Sequence, residues 1–316
     1  MKGIDNIYII GAGAIGKALA VFLKHEGKAV VLLRGSIDNI AAYTDEIQIE
    51  LSNGQIISES IQVSAIGNFK SLDGAVVLTN KSFGNAQLVE KLKGKTNSSP
   101  ILLLQNGLNI EKPFIDHGFS QVYRAVLFAS SQPISENLIR FKSIATSAIG
   151  TVKGNLLELN AIVQQLANPY FDFKVEEHLE PVLWKKVIVN SVFNSVCPLL
   201  ETDNGIFHRS VAALNIAKRV IAECINIAAC KGIYLDADEV LKTLLMISTS
   251  SDGQFISTYQ DIRNRRRTEI ETLNVAIAGI AHDLEKDDMV KETRLLGELV
   301  DIKSRLTLQG EWGGAA

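Results

Sequence analysis

Apolar residues along this 316-residue chain follow two rhythms, and the change between them marks a domain boundary. Ile7 to Ile10 is a short apolar run, the mark of a strand buried on both faces. Gly11-Ala12-Gly13-Ala14-Ile15-Gly16 follows, then helical spacing through Leu19, Phe22 and Leu23. Gly27 closes that helix, and Ala29 to Leu33 predicts a second buried strand. Glu46 to Leu51 and Gln55 to Val63 flank Asn53-Gly54, a pair that predicts a hairpin. Ala75 to Thr79 and Ile101 to Gln105 predict further buried strands, with a helix over 84–93 between them. Val122 to Phe128, Asn137 to Phe141 and Ala145 to Gly150 predict later strands, and 155–167 a helix. From about 175 to 307 the periodicity is almost wholly helical. Helices are predicted over 178–197, 209–231, 236–247, 257–285 and 289–306. Lys231-Gly232 is a helix stop and Asp236 a candidate cap. The expected layout is an α/β domain over 1–174, an all-helical domain over 175–308, and a disordered tail over 309–316.

Composition narrows the class. Hydrophobic content of 47% and charged content of 21% fit a soluble globular chain. A net charge of −3 argues against a broad nucleic-acid surface. One basic run, Arg263 with Arg265-Arg266-Arg267, has Asp261, Glu269 and Glu271 nearby and reads as a solvated, salt-bridged helix face. The cysteines Cys197, Cys224 and Cys230 are odd in number and widely spaced, which argues against a disulfide framework or a zinc site. The histidines are scattered and form no metal-ligand pair. A reducing, cytoplasmic location is the expectation. No apolar run reaches membrane-span length. The apolar start over 7–23 is interrupted by glycines and Lys17, and reads as structure rather than a signal peptide.

The glycine turn carries the first chemistry. A lone GxGxxG is weak evidence, but here it follows a strand, opens a helix and leads to a second strand. Gly11 suits the tight turn, Gly13 lets the backbone approach a pyrophosphate, and Gly16 lets the helix pack closely on the sheet. Phosphates would meet the N–H groups of Ala12, Ala14 and Ile15 at the helix start. The expected fold is therefore a Rossmann-type dinucleotide-binding domain followed by an all-α domain. An NAD site usually has an acid at the end of the second strand. This chain has Arg34-Gly35-Ser36 there, and arginine suits a 2′-phosphate, which favours NADP(H). Lys81 and Asn106-Gly107 follow the next strands, where ligands lie in open α/β sheets. Both are also readable as ordinary turn residues.

In the helical half, Lys186, Asn190 and Asn194 repeat every four residues in a mostly apolar segment. On a helix they form a polar row about 12 Å long. Left unpaired in a buried helix, each would cost about 1–3 kcal/mol or more. A lysine ammonium can protonate the alkoxide formed when a ketone is reduced. Glu269 is a candidate partner. On the predicted helix 257–285 it shares a stripe with Ile262, Leu273, Ala276 and Ile280; the alternative is an inward salt bridge to Arg265 or Arg266. Asn204-Gly205 and Ser257 offer neutral hydrogen-bonding groups, each also readable as a turn or cap residue.

These residues, in this order and spacing, resemble the ketopantoate reductase (2-dehydropantoate 2-reductase) family over nearly the whole chain. The matching pieces are Gly11 to Gly16, Lys81, Gln105-Asn106-Gly107, Leu183-Trp184-Lys185-Lys186 with Asn190 and Asn194, Asn204-Gly205, and Ser257 through Gln260-Asp261-Ile262-Arg263 to Thr268-Glu269-Ile270. The resemblance implies NADPH-dependent reduction of 2-dehydropantoate to (R)-pantoate, on the route to pantothenate and coenzyme A. It implies Lys186 as proton donor, with Asn190, Asn194, Asn204 and Ser257 holding the carboxylate and hydroxyl of a small 2-oxo acid. Asn106 would touch both ligands, Glu269 would orient the cofactor ribose or the substrate–lysine network, and Lys81 would lie beside the cofactor. Carboxamides donate and accept, so they suit a carboxylate at one end and an alcohol at the other. Gln254 departs from the family, which often has asparagine just before the Ser257 position. The longer side chain leaves a related reductase of another 2-oxo acid, and more remotely a non-catalytic NADPH sensor, as the alternatives. No nucleic-acid or membrane partner is expected, and a homodimer through the helical half is compatible with the chain.

Overall fold

The computed structural model of the chain describes residues 6–310. They form two units, 6–105 with 110–179, and 106–109 with 180–310. In chain order the first unit runs β1 (Asn6–Ile10), α1 (Ala14–His25), β2 (Ala29–Arg34), β3 (Tyr43–Leu51), β4 (Ile56–Ala65), β5 (Ala75–Leu78), α2 (Asn85–Leu92), β6 (Ile101–Leu103), α3 (Lys112–Asp116), β7 (Val122–Val126), β8 (Ala129–Pro133), β9 (Leu138–Ser143), β10 (Ser147–Lys153), α4 (Leu156–Leu166) and β11 (Phe173–Val175). The strands make one sheet in the order β11-β10-β7-β6-β5-β1-β2-β4-β3-β9-β8.

The unbroken apolar run of β1 follows from its place in that order. Ile7 and Ile9 enter a core with Leu19, Phe22 and Leu23 of α1 and Leu159 and Ile162 of α4. Tyr8 and Ile10 enter a second core with Leu88 and Leu92 of α2 and Phe114 of α3. Parallel strands covered on both faces need apolar residues at every position. From β1 the chain builds outward to β2 on one side and to β5 and β6 on the other. That reversal is where ligands sit in doubly wound sheets, beyond the carboxyl ends of the strands. The Asn53-Gly54 pair turns β3 into β4 as an antiparallel hairpin, with Gly54 at φ 82°.

Several elements differ from the sequence reading. β8 was not expected, because its residues Ala-Ser-Ser-Gln-Pro carry no apolar rhythm. It lies at the sheet edge, where polar residues and a proline are tolerated. β11 is a three-residue strand parallel to β10. With Leu179 lying 2.7 Å from where a Gly150 Cβ would stand, it keeps residues past 174 in the sheet unit.

The second unit holds α5 (Leu179–Leu200) from Glu180 onward, α6 (Ile206–Arg209), α7 (Val211–Cys230), α8 (Ala237–Ser250), α9 (Ser257–Arg263), α10 (Asn274–Asp283) and α11 (Lys291–Gln309). Asp236 caps α8 through the N–H groups of Asp238 and Glu239, and Gly232 ends α7 at φ 77°. The predicted helix 209–231 divides at Ser210, whose hydroxyl caps α7. The predicted helix 257–285 is broken. Arg265 takes φ 51°, and the N–H groups of Arg265 and Arg266 close onto Ile262 and Asp261 carbonyls. That left-handed stop ends α9, and one 3₁₀ turn over Ile270–Thr272 precedes α10. The basic run therefore lies on a turn, with Arg266 on Asp261 and Arg267 on Glu271. α11 runs through Gln309 to a Gly310 cap, so of the expected tail only 311–316 lies outside the described residues.

No helix of the described residues is long and apolar enough to cross a membrane, and no cluster of three metal-binding side chains occurs among them. Burial pushes the thiols of Cys197 and Cys224 up to about 12, whereas Cys230 is exposed. Only the thiolate reacts. A disulfide reagent at pH 8 should therefore label Cys230 alone in the native protein and all three cysteines after denaturation. Two or more reactive thiols in the native protein would contradict this burial.

Candidate active site

Three carboxyl ends converge in the sheet unit. Gly11, at φ 120°, turns the chain out of β1, and its N–H donates to the Leu33 carbonyl of β2 at 3.0 Å. A Cβ on Gly11 would overlap the Asn80 nitrogen after β5. A Cβ on Gly16 would overlap the Gly11 carbonyl oxygen and lie 2.5 Å from Thr79 Oγ1. Gly13 differs, because nothing in the protein stands within 4 Å of its would-be Cβ. It is exposed, extended, and the N-cap of α1, with no side chain capping that helix. Ala12, Ala14 and Ile15 are half-buried beside it. The first-turn N–H groups of α1 thus border open space, as an incoming pyrophosphate requires.

Arg34 ends β2 half-buried and pairs through its backbone with Ala65 of β4, while its guanidinium makes no hydrogen bond or ion pair to another described residue. The first acid beyond it, Asp38, is held by Lys91 at 2.5 Å, and Lys91 also donates to the Gly35 carbonyl at 3.0 Å. Lys81 is half-buried at the end of the β5 loop, opening the 3₁₀ turn Ser82–Gly84.

Asn80 escaped the sequence reading. Its Nδ2 donates to the Lys81 carbonyl at 2.9 Å, while its Oδ1 is buried without a partner. Gln105 Nε2 donates to the Asn80 carbonyl at 2.9 Å and to Asn85 Oδ1 at 2.7 Å. Asn85 Nδ2 returns a bond to Gln105 Oε1 at 2.8 Å and another to the Ile110 carbonyl at 2.9 Å. Asn85, 2% exposed, therefore staples both stems of the 106–109 excursion. The sequence carried a hint, since Asn80 and Gln105 follow buried strands and their carboxamides need partners. The open glycine turn, the orphaned Asn80 oxygen and the Arg34 guanidinium fit a nicotinamide dinucleotide.

In the helical unit, Asn106 is exposed and Gly107 packs against Thr272, while Leu108 N–H donates to the Thr272 carbonyl at 2.7 Å. Thr272 in turn donates from N and Oγ1 to the Glu269 carbonyl, both at 3.0 Å. The segment bearing Asn106 is thereby tied to the one bearing Glu269. Glu269 is half-buried at the start of the 3₁₀ turn rather than on a helical stripe, because the helix ends at Arg263.

On α5, Lys186 and Asn190 are half-buried and Asn194 is 3% exposed. The three are not equivalent. Asn194 Nδ2 donates back to the Asn190 carbonyl at 2.9 Å, and its Oδ1 accepts from Ser257 Oγ and Thr258 N–H, each at 3.3 Å. Its amide joins α5 to α9 and holds Ser257 beside the row. Asn190's amide makes no hydrogen bond to another described side chain. Asn204 is 6% exposed, with an Oδ1 that is buried and unpartnered. Its N–H donates to the Gln254 carbonyl at 2.9 Å, and its carbonyl accepts from Ser248 Oγ at 2.7 Å. Gln254 is exposed and follows Gly253 at φ 75°.

Two family models match the chain. One, described as ketopantoate reductase PanE/ApbA, covers residues 7–154, and the other, its C-terminal counterpart, covers 178–300. A 2-dehydropantoate 2-reductase from Pyrococcus horikoshii is 26% identical over 271 residues, spanning 85% of this chain and 88% of that protein. Among solved structures, D-mandelate dehydrogenase with NADH and anilino(oxo)acetate superposes with a TM-score of 0.81 at 20% identity, covering 96% of this chain and 99% of that one. A dimeric ketopantoate reductase from Staphylococcus aureus gives 0.76 at 18% identity, covering 97% and 100%. At such identities the structural likeness speaks for the fold alone.

Proposed function

Because this chain belongs to the ketopantoate reductase family, we propose that it reduces 2-dehydropantoate to (R)-pantoate with NADPH. The bound dinucleotide supplies the hydride. The chain's own residues do the rest. Gly11 to Gly16 bind the pyrophosphate and Arg34 the 2′-phosphate, with Lys81 and Asn106 beside the cofactor. Lys186 gives its Nζ proton to the oxygen of the reduced carbonyl. Asn190 and Ser257 bind the carboxylate and hydroxyl groups, Asn194 holds Ser257 in place, and Glu269 orients the lysine network. The reading places the enzyme in pantothenate biosynthesis, in the cytoplasm.

The observation that carries the substrate is Asn204 Oδ1, a buried acceptor with no donor. Leaving it unpaired costs about 1–3 kcal/mol. A carboxylate and a ketone offer no proton, but the hydroxyl of 2-dehydropantoate does. A second reading, reduction of an arylated 2-oxo acid, has one feature in its favour. Phe255, 37% exposed, stands edge-on to Tyr259 at 5.1 Å, two residues from Ser257. Such an acid without a hydroxyl would leave Asn204 unsatisfied.

The test is NADPH oxidation by the purified protein with 2-dehydropantoate, beside 2-oxo-2-phenylacetate and simple 2-oxo acids. The hydroxylated acid should give the highest kcat/KM. Brisk turnover of the phenyl acid alone would overturn the substrate. In the same assay, Arg34→Asp should raise the KM for NADPH far more than that for NADH. Equal loss of both would remove Arg34 from 2′-phosphate recognition.

A further inference from the structure

Asn204 and Gln254 come from different loops, and one carboxylate joins them. Asp203 Oδ1 accepts from the Gly205 N–H at 2.7 Å within its own loop and from the Gly253 N–H at 3.3 Å in the loop after α8. Arg209, on α6, donates from Nη2 to both Asp203 oxygens at 2.8 Å and from Nη1 to Asp252. The Arg209 hydrogen bond holds the Asp203 carboxyl below the usual carboxylate range. Beside this hub the two loops pair directly, Asn204 N–H to Gln254 carbonyl at 2.9 Å. Gly205 completes the closure, since a Cβ there would overlap Asp252 Oδ1.

We infer that Asp203 is a positioning residue for substrate specificity, latching the 251–256 loop so that Gln254 and Asn204 keep a fixed separation. The inference rests on the reductase reading for its kinetic consequence, but the latch itself is a property of the apo protein. Arg209 and Asp203 are 42% and 21% exposed, and exposed ion pairs contribute little to global stability. Loss of the latch should therefore loosen one loop while leaving the melting temperature nearly unchanged. The glycine turn, Arg34 and Lys81 belong to the other unit, and Asn106 lies on a separate segment tied to Thr272 rather than to this latch, so NADPH binding should be untouched.

The experiment compares the wild-type protein with Asp203→Ala and Asp203→Asn. Amide hydrogen exchange over 203–206 and 252–256 should accelerate in the alanine variant. It should accelerate less in the asparagine variant, whose carboxamide oxygen still accepts from both glycines. With 2-dehydropantoate, the alanine variant should show a KM raised by about tenfold, with kcat and the NADPH KM close to wild type, as expected when a contact made equally in the ground and transition states is loosened. Asparagine should restore part of that loss. Unchanged exchange over 252–256 would overturn the latch. Faster exchange with an unaltered KM would overturn its role in specificity. If the wild-type protein turned over no 2-oxo acid, the reductase reading would fail, and the exchange comparison would still decide the latch.

Discussion

Lys186→Ala should lower the turnover number by at least about 10²-fold, the lower range for a general acid, while NADPH binds as before. Reduction of a ketone places negative charge on one oxygen, and a proton must reach it in or just after the transition state. Lys186 is the member of the α5 row that carries a proton to give. Asn194 has its amide engaged by Asn190, Ser257 and Thr258, and Asn190 carries only a neutral carboxamide. No other row member can take over. The glycine turn lies in a separate unit of the chain, which makes fluorescence titration with NADPH the natural control. An alanine variant within tenfold of wild-type turnover would remove Lys186 from the acid's role. A variant that lost NADPH binding would mean that Lys186 acts through the cofactor.

The elements that survive from sequence to structure are those in which one local pattern answers to one local geometry. The apolar run of β1, the glycine turn, the Asn53-Gly54 hairpin and the Asp236 cap each depend on residues within a few positions. What was illegible depends on distant partners. β8 lacks apolar alternation because it is an edge strand, and only its pairing with β9 makes it a strand. The stop after Arg263 is set by a left-handed Arg265, at a position where neither glycine nor proline signals it, so periodicity ran on through 285 and placed Glu269 on a stripe that does not exist. The row of Lys186, Asn190 and Asn194 was visible as an anomaly in an apolar segment. Its division of labour was not, because the partners of Asn194 on α9 lie more than sixty residues away. The same distance hid Asp203, which touches a loop fifty residues on.

Gly13→Ala should leave the fold intact and weaken NADPH by about 10²-fold, the loss of roughly two charge-assisted hydrogen bonds. The argument is a contrast among glycines. At Gly16 the space is filled by the Gly11 carbonyl and the Thr79 hydroxyl, so a methyl group there must push α1 from β1, lowering stability and binding together. At Gly13 the backbone has φ −81° and ψ −178°, which alanine adopts without strain, and nothing stands within 4 Å of the added carbon. Nothing in the protein itself requires glycine at that position. A pyrophosphate drawn against the uncapped N-terminus of α1 would, because a Cβ would hold it away from the N–H groups. Thermal unfolding and NADPH titration of the two variants separate the cases. Gly16→Ala should lose both stability and binding, and Gly13→Ala binding alone. A Gly13→Ala protein that bound NADPH as tightly as wild type would show that the phosphates do not rest on this turn.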